Sequence, residues 1–354
     1  MSSYFRGAAN PTSFFPKIAA LTAITLVALL AGCANGNARI SPAPTAQQHP
    51  PLAVVSPGST AAPTPTSIAT SISADSLEPL RDNMLSLINA DRAAAGARPV
   101  QLGSNGAAQQ HAEDMLTNFY MGHVDSGGMK PYMRYSLVGG LGANAENVAY
   151  AGTTDPNDRA NYVAVAPSEA LQSLEHLMVF DDADSNWGHR DNILAPQHQV
   201  VNIGIAFTAT RLALSQQFED GYVTFTQAPK LANGTLTLAG AIDQSLGSVS
   251  AIDLYYDPPP VPHSHAELLD QPHSYSVGSS TTPVVDILPP APQGSSYVNL
   301  PPYAVIANSW TGGGASFSIS VNLGTRVANA GVYTLLLWSN GATYPLTTIS
   351  LFVP

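Results

Sequence analysis

Cysteine is almost missing from this sequence: Cys33 is the single one in 354 residues. That excludes an internal disulfide framework and any cysteine-based zinc finger. Basic residues are scarce too, 13 Lys and Arg against 24 Asp and Glu, for a formal net charge of -11. A chain this acidic repels a phosphate backbone, so nucleic acid is excluded as a partner. Beyond the first 33 residues no stretch is apolar and long enough to span a bilayer. What the chain does have is 45% hydrophobic residues, enough for two cores of ordinary size at this length. Its 28 Gly and 29 Pro point to long connections or turn-rich β structure.

The lone cysteine sits where the N-terminus gives it a use. Arg6 and Lys17 supply positive charge, and Ile18 to Leu30 form an uncharged apolar run. The run is short for a bilayer span and fits the hydrophobic region of a signal peptide. It ends in Leu30-Ala31-Gly32-Cys33, which resembles the bacterial lipobox. That resemblance implies acylation of the Cys33 thiol, cleavage just before it, and an exported chain held to a membrane by its lipid. Residues 1–33 therefore read as a lipoprotein signal peptide. Residues 34–75, rich in Pro, Ala, Ser and Thr, read as a disordered spacer, because they lack the apolar surface to fold.

The next segment, residues 76–220, starts helical and ends in strands. Leu77, Leu80, Met84, Leu87 and Ile88 follow three-and-four spacing, with Ser76 as N-cap and Gly96 and Pro99 as terminators. A second helix is predicted over Ala107–Tyr120, and a third from Pro167 carrying Leu171, Leu174, Leu177 and Met178. The Gly-, Asn- and Pro-rich stretch 127–162 reads as long loops. Val201, Ile203, Ile205 and Phe207 then alternate as a strand, and Leu212, Leu214 and Phe218 as another. From residue 221 to 354 the pattern is all β, with strands predicted at 222–225, 235–238, 251–256, 316–321, 332–338 and 347–353 and no helical period between them. The fold class is α+β, with a small immunoglobulin-like sandwich at the C-terminal end.

Three positions in the helical segment carry candidate chemistry: His123, Glu146 and His189. Neutral imidazoles ligate first-row metals, and a carboxylate can orient them or accept a proton. His111 reads as structural. His263, His265 and His273, with Glu267, lie in a Pro-rich loop without an orienting motif. Trp187, Trp310 and Trp338 read as packing residues.

The order of short motifs resembles the CAP superfamily, which includes cysteine-rich secretory and pathogenesis-related proteins, in its cysteine-poor prokaryotic branch. The series comprises Leu87-Ile88-Asn89 with Arg92, His111-Ala112-Glu113-Asp114-Met115, His123, Glu146-Asn147-Val148-Ala149, Gly188-His189-Arg190 with Asn192-Ile193-Leu194, Gly204-Ile205-Ala206 and Gln216-Gln217-Phe218. The resemblance implies an αβα sandwich with an open cleft. Two histidines and two acids line that cleft in the family and can hold zinc or another divalent ion. Carried over, His123 and His189 are the metal ligands and Glu146 the first acid. The second acid falls on or near Leu177, so Glu175 is the nearest substitute, with His176 and Asp181 as others, and the site reads as a reduced triad.

Three functions are compatible with this reading. One is a surface binding module for a lipid, a cell-wall fragment or a protein. Another is a metal-assisted hydrolase of peptide or cell-wall material, with Glu146 as general base. The last is a structural surface protein with a vestigial cleft. Binding is favoured, because catalytic zinc has three protein ligands and the chain has neither a His-Glu-x-x-His helix nor a serine or cysteine nucleophile motif. The oligomeric state is not written in the sequence.

Overall fold

The computed structural model describes residues 28–31, 74–312 and 314–354. Cys33 and residues 34–73 of the spacer lie outside the described residues, while Ala74 and Asp75, read as the end of that spacer, open the first helix. The first body contains β1 (Ala28–Ala31), α1 (Ala74–Ala94), β2 (Gln101–Leu102), α2 (Ala107–Asn118), α3 (Pro131–Leu137), β3 (Ala143–Ala151), α4 (Pro167–Phe180), α5 (Gly188–Leu194), β4 (Val200–Phe207) and β5 (Leu212–Asp220). Its five strands lie in the order β1-β3-β5-β4-β2. Among the described residues, no helix is long and apolar enough to cross a membrane.

Strand alternation sends the side chains of this sheet to two different cores. Leu212, Leu214 and Phe218 of β5 join Met84 and Ile88 of α1 and Leu171, Leu174 and Met178 of α4. On the opposite face Val148 and Tyr150 of β3 join Ala112 and Met115 of α2. Helices on both faces make the expected αβα layers. The contact with α2 is close: a Cβ built at Gly204 of β4 would lie 1.9 Å from the Ala108 carbonyl oxygen. Only glycine lets helix and strand backbones approach this far.

Several elements differ from the sequence reading. The first helix starts at Ala74, so Ser76 lies inside it rather than capping it. The stretch read as long loops holds α3, which starts on Pro131 at its first turn, and the nine-residue β3. Proline is tolerated at that helix position because its missing N–H has no partner there anyway, and the glycines that suggested loops only flank the two elements.

The second body contains β6 (Val223–Ala232), β7 (Thr235–Ile242), β8 (Val249–Asp257), α6 (His265–Leu269), β9 (Val285–Leu288), β10 (Ala304–Ile306), β11 (Ser309–Thr311), β12 (Ser316–Asn322), β13 (Gly331–Ser339) and β14 (Thr347–Val353). One sheet runs β10-β9-β8-β13-β14 and the other β11-β12-β7-β6. Asn233 and Gly234, both at positive φ (51 and 72), make the turn between β6 and β7, as expected where the turn must match strand twist. Leu236 and Leu238 of β7 and Phe317 and Ile319 of β12 meet Ile252 and Leu254 of β8 and Leu335 of β13 between the sheets. This is the two-sheet sandwich expected. It is not purely β, however: α6 forms because Ser264 and Glu267 make a reciprocal capping box. Strands β9, β10 and β11 are too short to show an alternating pattern in sequence.

The two bodies are bound to each other. In β14 the Thr348 amide donates to the Gly142 carbonyl at 3.1 Å, and the Ser350 amide donates to Ser136 Oγ at 2.9 Å. Lys130 Nζ lies 2.9 Å from Asp257 Oδ1, and the Tyr132 hydroxyl donates to Asp257 Oδ2 at 2.7 Å.

The substitution Gly204→Ala is expected to lower stability by about 3 kcal/mol or more, because α2 must lift off the sheet. Urea denaturation measures this, and a change under about 0.5 kcal/mol would contradict the packing described.

Candidate functional site: a buried His–Glu–Arg cluster

Glu146 lies on the face of β3 that looks toward α2 and α3, two residues before Val148. Helix α2 brings His111 to this face, the loop after α2 brings His123, and α3 brings Arg134. All four side chains are buried. Arg134 Nη2 donates to both carboxylate oxygens of Glu146, at 3.1 and 2.9 Å. Its Nη1 donates to the His123 carbonyl at 2.9 Å. The His123 Nδ1–H donates to Glu146 Oε1 at 3.1 Å, and Ser215 Oγ of β5 donates to Oε2 at 3.1 Å. The His111 Nε2–H donates to the Gly122 carbonyl at 2.8 Å, with that nitrogen 3.8 Å from Glu146.

Charge in this cluster follows from the competition between burial and Arg134. Burial alone would push the Glu146 carboxyl up, but Arg134, His111 and the His123 hydrogen bond outweigh it and hold it at about 2. Glu146 is therefore a fixed anion at neutral pH. Burial first, then the Arg134 charge, pushes His111 down to about 4. His123 is lowered as well, by burial against the pull of Glu146, with His189 and Arg134 adding to the lowering. Both imidazoles are neutral at neutral pH.

His189 is held by a different acid. Its Nδ1–H donates to Asp182 Oδ1 at 2.6 Å. The other Asp182 oxygen accepts from the His189 amide at 2.9 Å and from the Arg190 amide at 3.1 Å. Asp182 thus caps the start of α5 and fixes the His189 tautomer, leaving Nε2 as the lone-pair nitrogen. That nitrogen is buried and has no hydrogen-bond partner. Asn147, on the face of β3 opposite Glu146, holds α5 to the sheet, donating to the His189 carbonyl at 3.2 Å and accepting from Asn192 at 2.9 Å.

Glu175, the nearest substitute for the second acid, is not brought to this cluster. It packs on the other face of the sheet, where Gln216 Nε2 donates to its Oε2 at 2.5 Å. Burial pushes its carboxyl up to about 8. His176 and Asp181 are exposed side chains, 3.9 Å apart. Among the described residues no three His, Cys, Asp or Glu side chains are arranged to hold a metal. The donor chemistry agrees: both Glu146 oxygens are taken, and the Arg134 guanidinium adds positive charge beside them. The residues present do not fit a three-ligand zinc site. His263, His265 and His273 do not form one either; the His265 Nε2–H donates to the Phe119 carbonyl at 3.1 Å.

Five participants escaped the sequence reading, Ser215 of β5 among them. Arg134 lies in the stretch read as loop, and Asp182 lies in the insert before His189. Tyr275, whose ring centroid is 4.8 Å from that of His123, and Gln271 come from the β module, with no local signal to mark them. The Pro131 start of α3 is the one sequence cue that could have flagged Arg134 as helical.

Glu175 gives a pH test. Below its ordinary 4.5 both folded and unfolded chains are protonated there. Between 4.5 and about 8 the unfolded chain ionises and the folded one does not, so stability falls as pH rises and stays low above that window. Glu175→Gln is expected to be more stable than the parent by about 3 kcal/mol near pH 7, with the difference vanishing near pH 4. Denaturant titration at both pH values checks this; a pH-independent difference would contradict it.

A family model of the cysteine-rich secretory protein (CAP) family matches residues 85–226. Among solved structures the chain is similar to an extracellular protein containing a SCP domain from Bacillus anthracis str. Ames, at 18% identity over 43% of this chain and 45% of that one, with a TM-score of 0.30. It is also similar to the CAP domain of Enterococcal PrgA, at 14% identity over 42% of this chain and 63% of that one, with a TM-score of 0.27. The match thus spans less than half of the first structure and less than two thirds of the second. No curated protein matches the sequence. The family model, the ordered motifs and the αβα layers agree, and residues 85–226 are a CAP domain of the cysteine-rich secretory protein family.

Proposed function

We propose that this protein is an exported, lipid-anchored recognition module whose CAP domain binds a ligand in the cell envelope or at the cell surface. The observation that carries the choice of binding over catalysis is the state of Glu146. A general base needs a pKa near the working pH and a free lone pair within reach of a proton. Glu146 sits at about 2, and Arg134, His123 and Ser215 donate to its oxygens. It clamps the floor of the cleft rather than moving protons. Two imidazoles without a third protein ligand would hold a divalent ion weakly. Location rests on the lipobox-like Leu30-Ala31-Gly32-Cys33, directly after an apolar run of signal-peptide length.

One observation favours a hydrolytic reading instead. His189 is oriented by Asp182 with its Nε2 unpartnered, the arrangement of a histidine base. That nitrogen could activate water without a metal. Binding remains the preferred reading, because no described nucleophile pairs with it and Glu146 supplies no acid–base partner.

Two measurements test these proposals. Purified chain dialysed against zinc should retain well under one equivalent and should turn over neither peptides nor cell-wall fragments. Stoichiometric zinc lost on His123→Ala with His189→Ala, or turnover lost on His189→Ala, would overturn the recognition reading. Separately, the chain should partition with membranes and into detergent in a bacterial host, and Cys33→Ser should move most of it to the soluble or secreted fraction. Unchanged partitioning of that variant would remove the lipid anchor.

A further inference from the structure

Residues 258–284 connect β8 to β9 and add no strand to either sheet. A connection of this length with only the five-residue α6 in it is uncommon inside a compact sandwich. It opens Pro258-Pro259-Pro260-Val261-Pro262, which presets an extended path at low entropic cost. From there to Tyr275 it runs across the CAP domain as a strap, before returning to its own module, where the Ser279 amide donates to the Tyr256 carbonyl and the Val284 amide to the Leu254 carbonyl.

Its contacts follow the loop after α2. The His263 amide donates to the Ser126 carbonyl at 2.9 Å. The Gln271 side chain takes both main-chain groups of one residue: the Val124 amide donates to Oε1 at 2.8 Å, and Nε2 lies 3.3 Å from the Val124 carbonyl. A carboxamide here does what a peptide group does when a strand is added to a sheet edge. Leu268, 2% exposed, enters the core of Ala112, Met115 and Tyr120. Tyr275 lies against His123, and its hydroxyl accepts from the Glu146 amide at 3.1 Å. The floor is glycine where the strap crosses: a Cβ at Gly122 would lie 2.1 Å from Gln271 Cδ, and one at Gly128 would lie 2.2 Å from the Val261 carbonyl oxygen.

The strap is anchored at both ends by the same two residues: Lys130 and Tyr132 grip Asp257 at its start and the main chain of Ser276 and Gly278 near its close. Between these anchors it is lightly covered, with Leu268 the one buried residue of 258–277. Segments with few buried side chains open at much lower free energy than the core beneath them.

We propose that the strap is the resident occupant of a polypeptide-binding groove. In this reading the ligand is a segment of another protein that presents an apolar side chain, a carboxamide and an aromatic ring in the order of Leu268, Gln271 and Tyr275, and that enters by displacing the strap. The proposal rests on the recognition reading above and names the class of its ligand. A tethered strap competes at an effective concentration on the order of mM, so the closed chain admits only strong competitors.

The test uses a fluorescent synthetic peptide with the sequence of residues 263–277 and the full chain. In a variant carrying Leu268→Ser, Gln271→Ala and Tyr275→Ala, the peptide should bind at least about tenfold more tightly than to the parent. Adding Gly122→Val to that variant should return binding to the parent level or below. In the parent, strap amides should exchange with deuterium at least about a hundredfold faster than those of β3 and β5. Equal or absent peptide binding in parent and triple variant, or strap exchange only at the rate of global unfolding, overturns the groove. Those failures leave the recognition reading standing, since that falls only on turnover or stoichiometric zinc.

Discussion

The buried pair of Arg134 and Glu146 is the constraint on which the site depends. Taking both charges out of water costs several kcal/mol for each, and only well-formed hydrogen bonds offset that cost. The geometry supplies them: two bonds from Arg134 to the carboxylate, one from His123, one from Ser215, and a carbonyl of the His123 loop on the other arm of the guanidinium. One ion pair therefore sets the position of β3, α3 and the loop after α2 together. Losing either partner strands the other charge in the interior, at a cost of about 3–5 kcal/mol. The same pair fixes the charge of the site, because a carboxylate held at about 2 stays ionised and takes up no proton near neutrality.

Around this pair the central sheet divides its work between two faces. The face toward α1, α4 and α5 is an apolar core, with Glu175 kept there as a protonated acid. The face toward α2 holds the polar cluster and is closed by the strap from the β module. The sandwich does more than extend the chain: through β14 and Asp257 it fixes the α3 region from outside, and through Tyr275 it covers His123. On the side where the family resemblance implies an open cleft, Tyr275 of the strap lies against His123.

Much of this was legible in the sequence, for physical reasons. The helices α1, α2 and α4 carry a clean apolar period, and β4 and β5 a clean alternation, because each buries one face in a single core. His123 and Glu146 meet at 3.1 Å as their motifs implied. The second acid was not legible: Asp182 reaches His189 from an insert whose backbone path no periodicity encodes, with Asn186 and Trp187 at positive φ. Glu175, the nearest acid in sequence, is turned into the apolar core, because α4 itself packs on the face of the sheet opposite the cluster. Arg134 was missed because Gly and Pro dominate its surroundings while α3 itself is only seven residues long. Contacts across more than a hundred residues, such as Tyr275 on His123, have no local signature at all.

The central claim is that Glu146 is a permanently charged clamp. Carboxyl-carbon NMR on selectively labelled protein, titrated from neutral pH down to about 3, measures it directly. The account predicts that the Glu146 resonance does not move while the chain stays folded, since its pKa is about 2. A resonance that titrates at the ordinary glutamate value or above would contradict it, and would return Glu146 to the role of a proton acceptor.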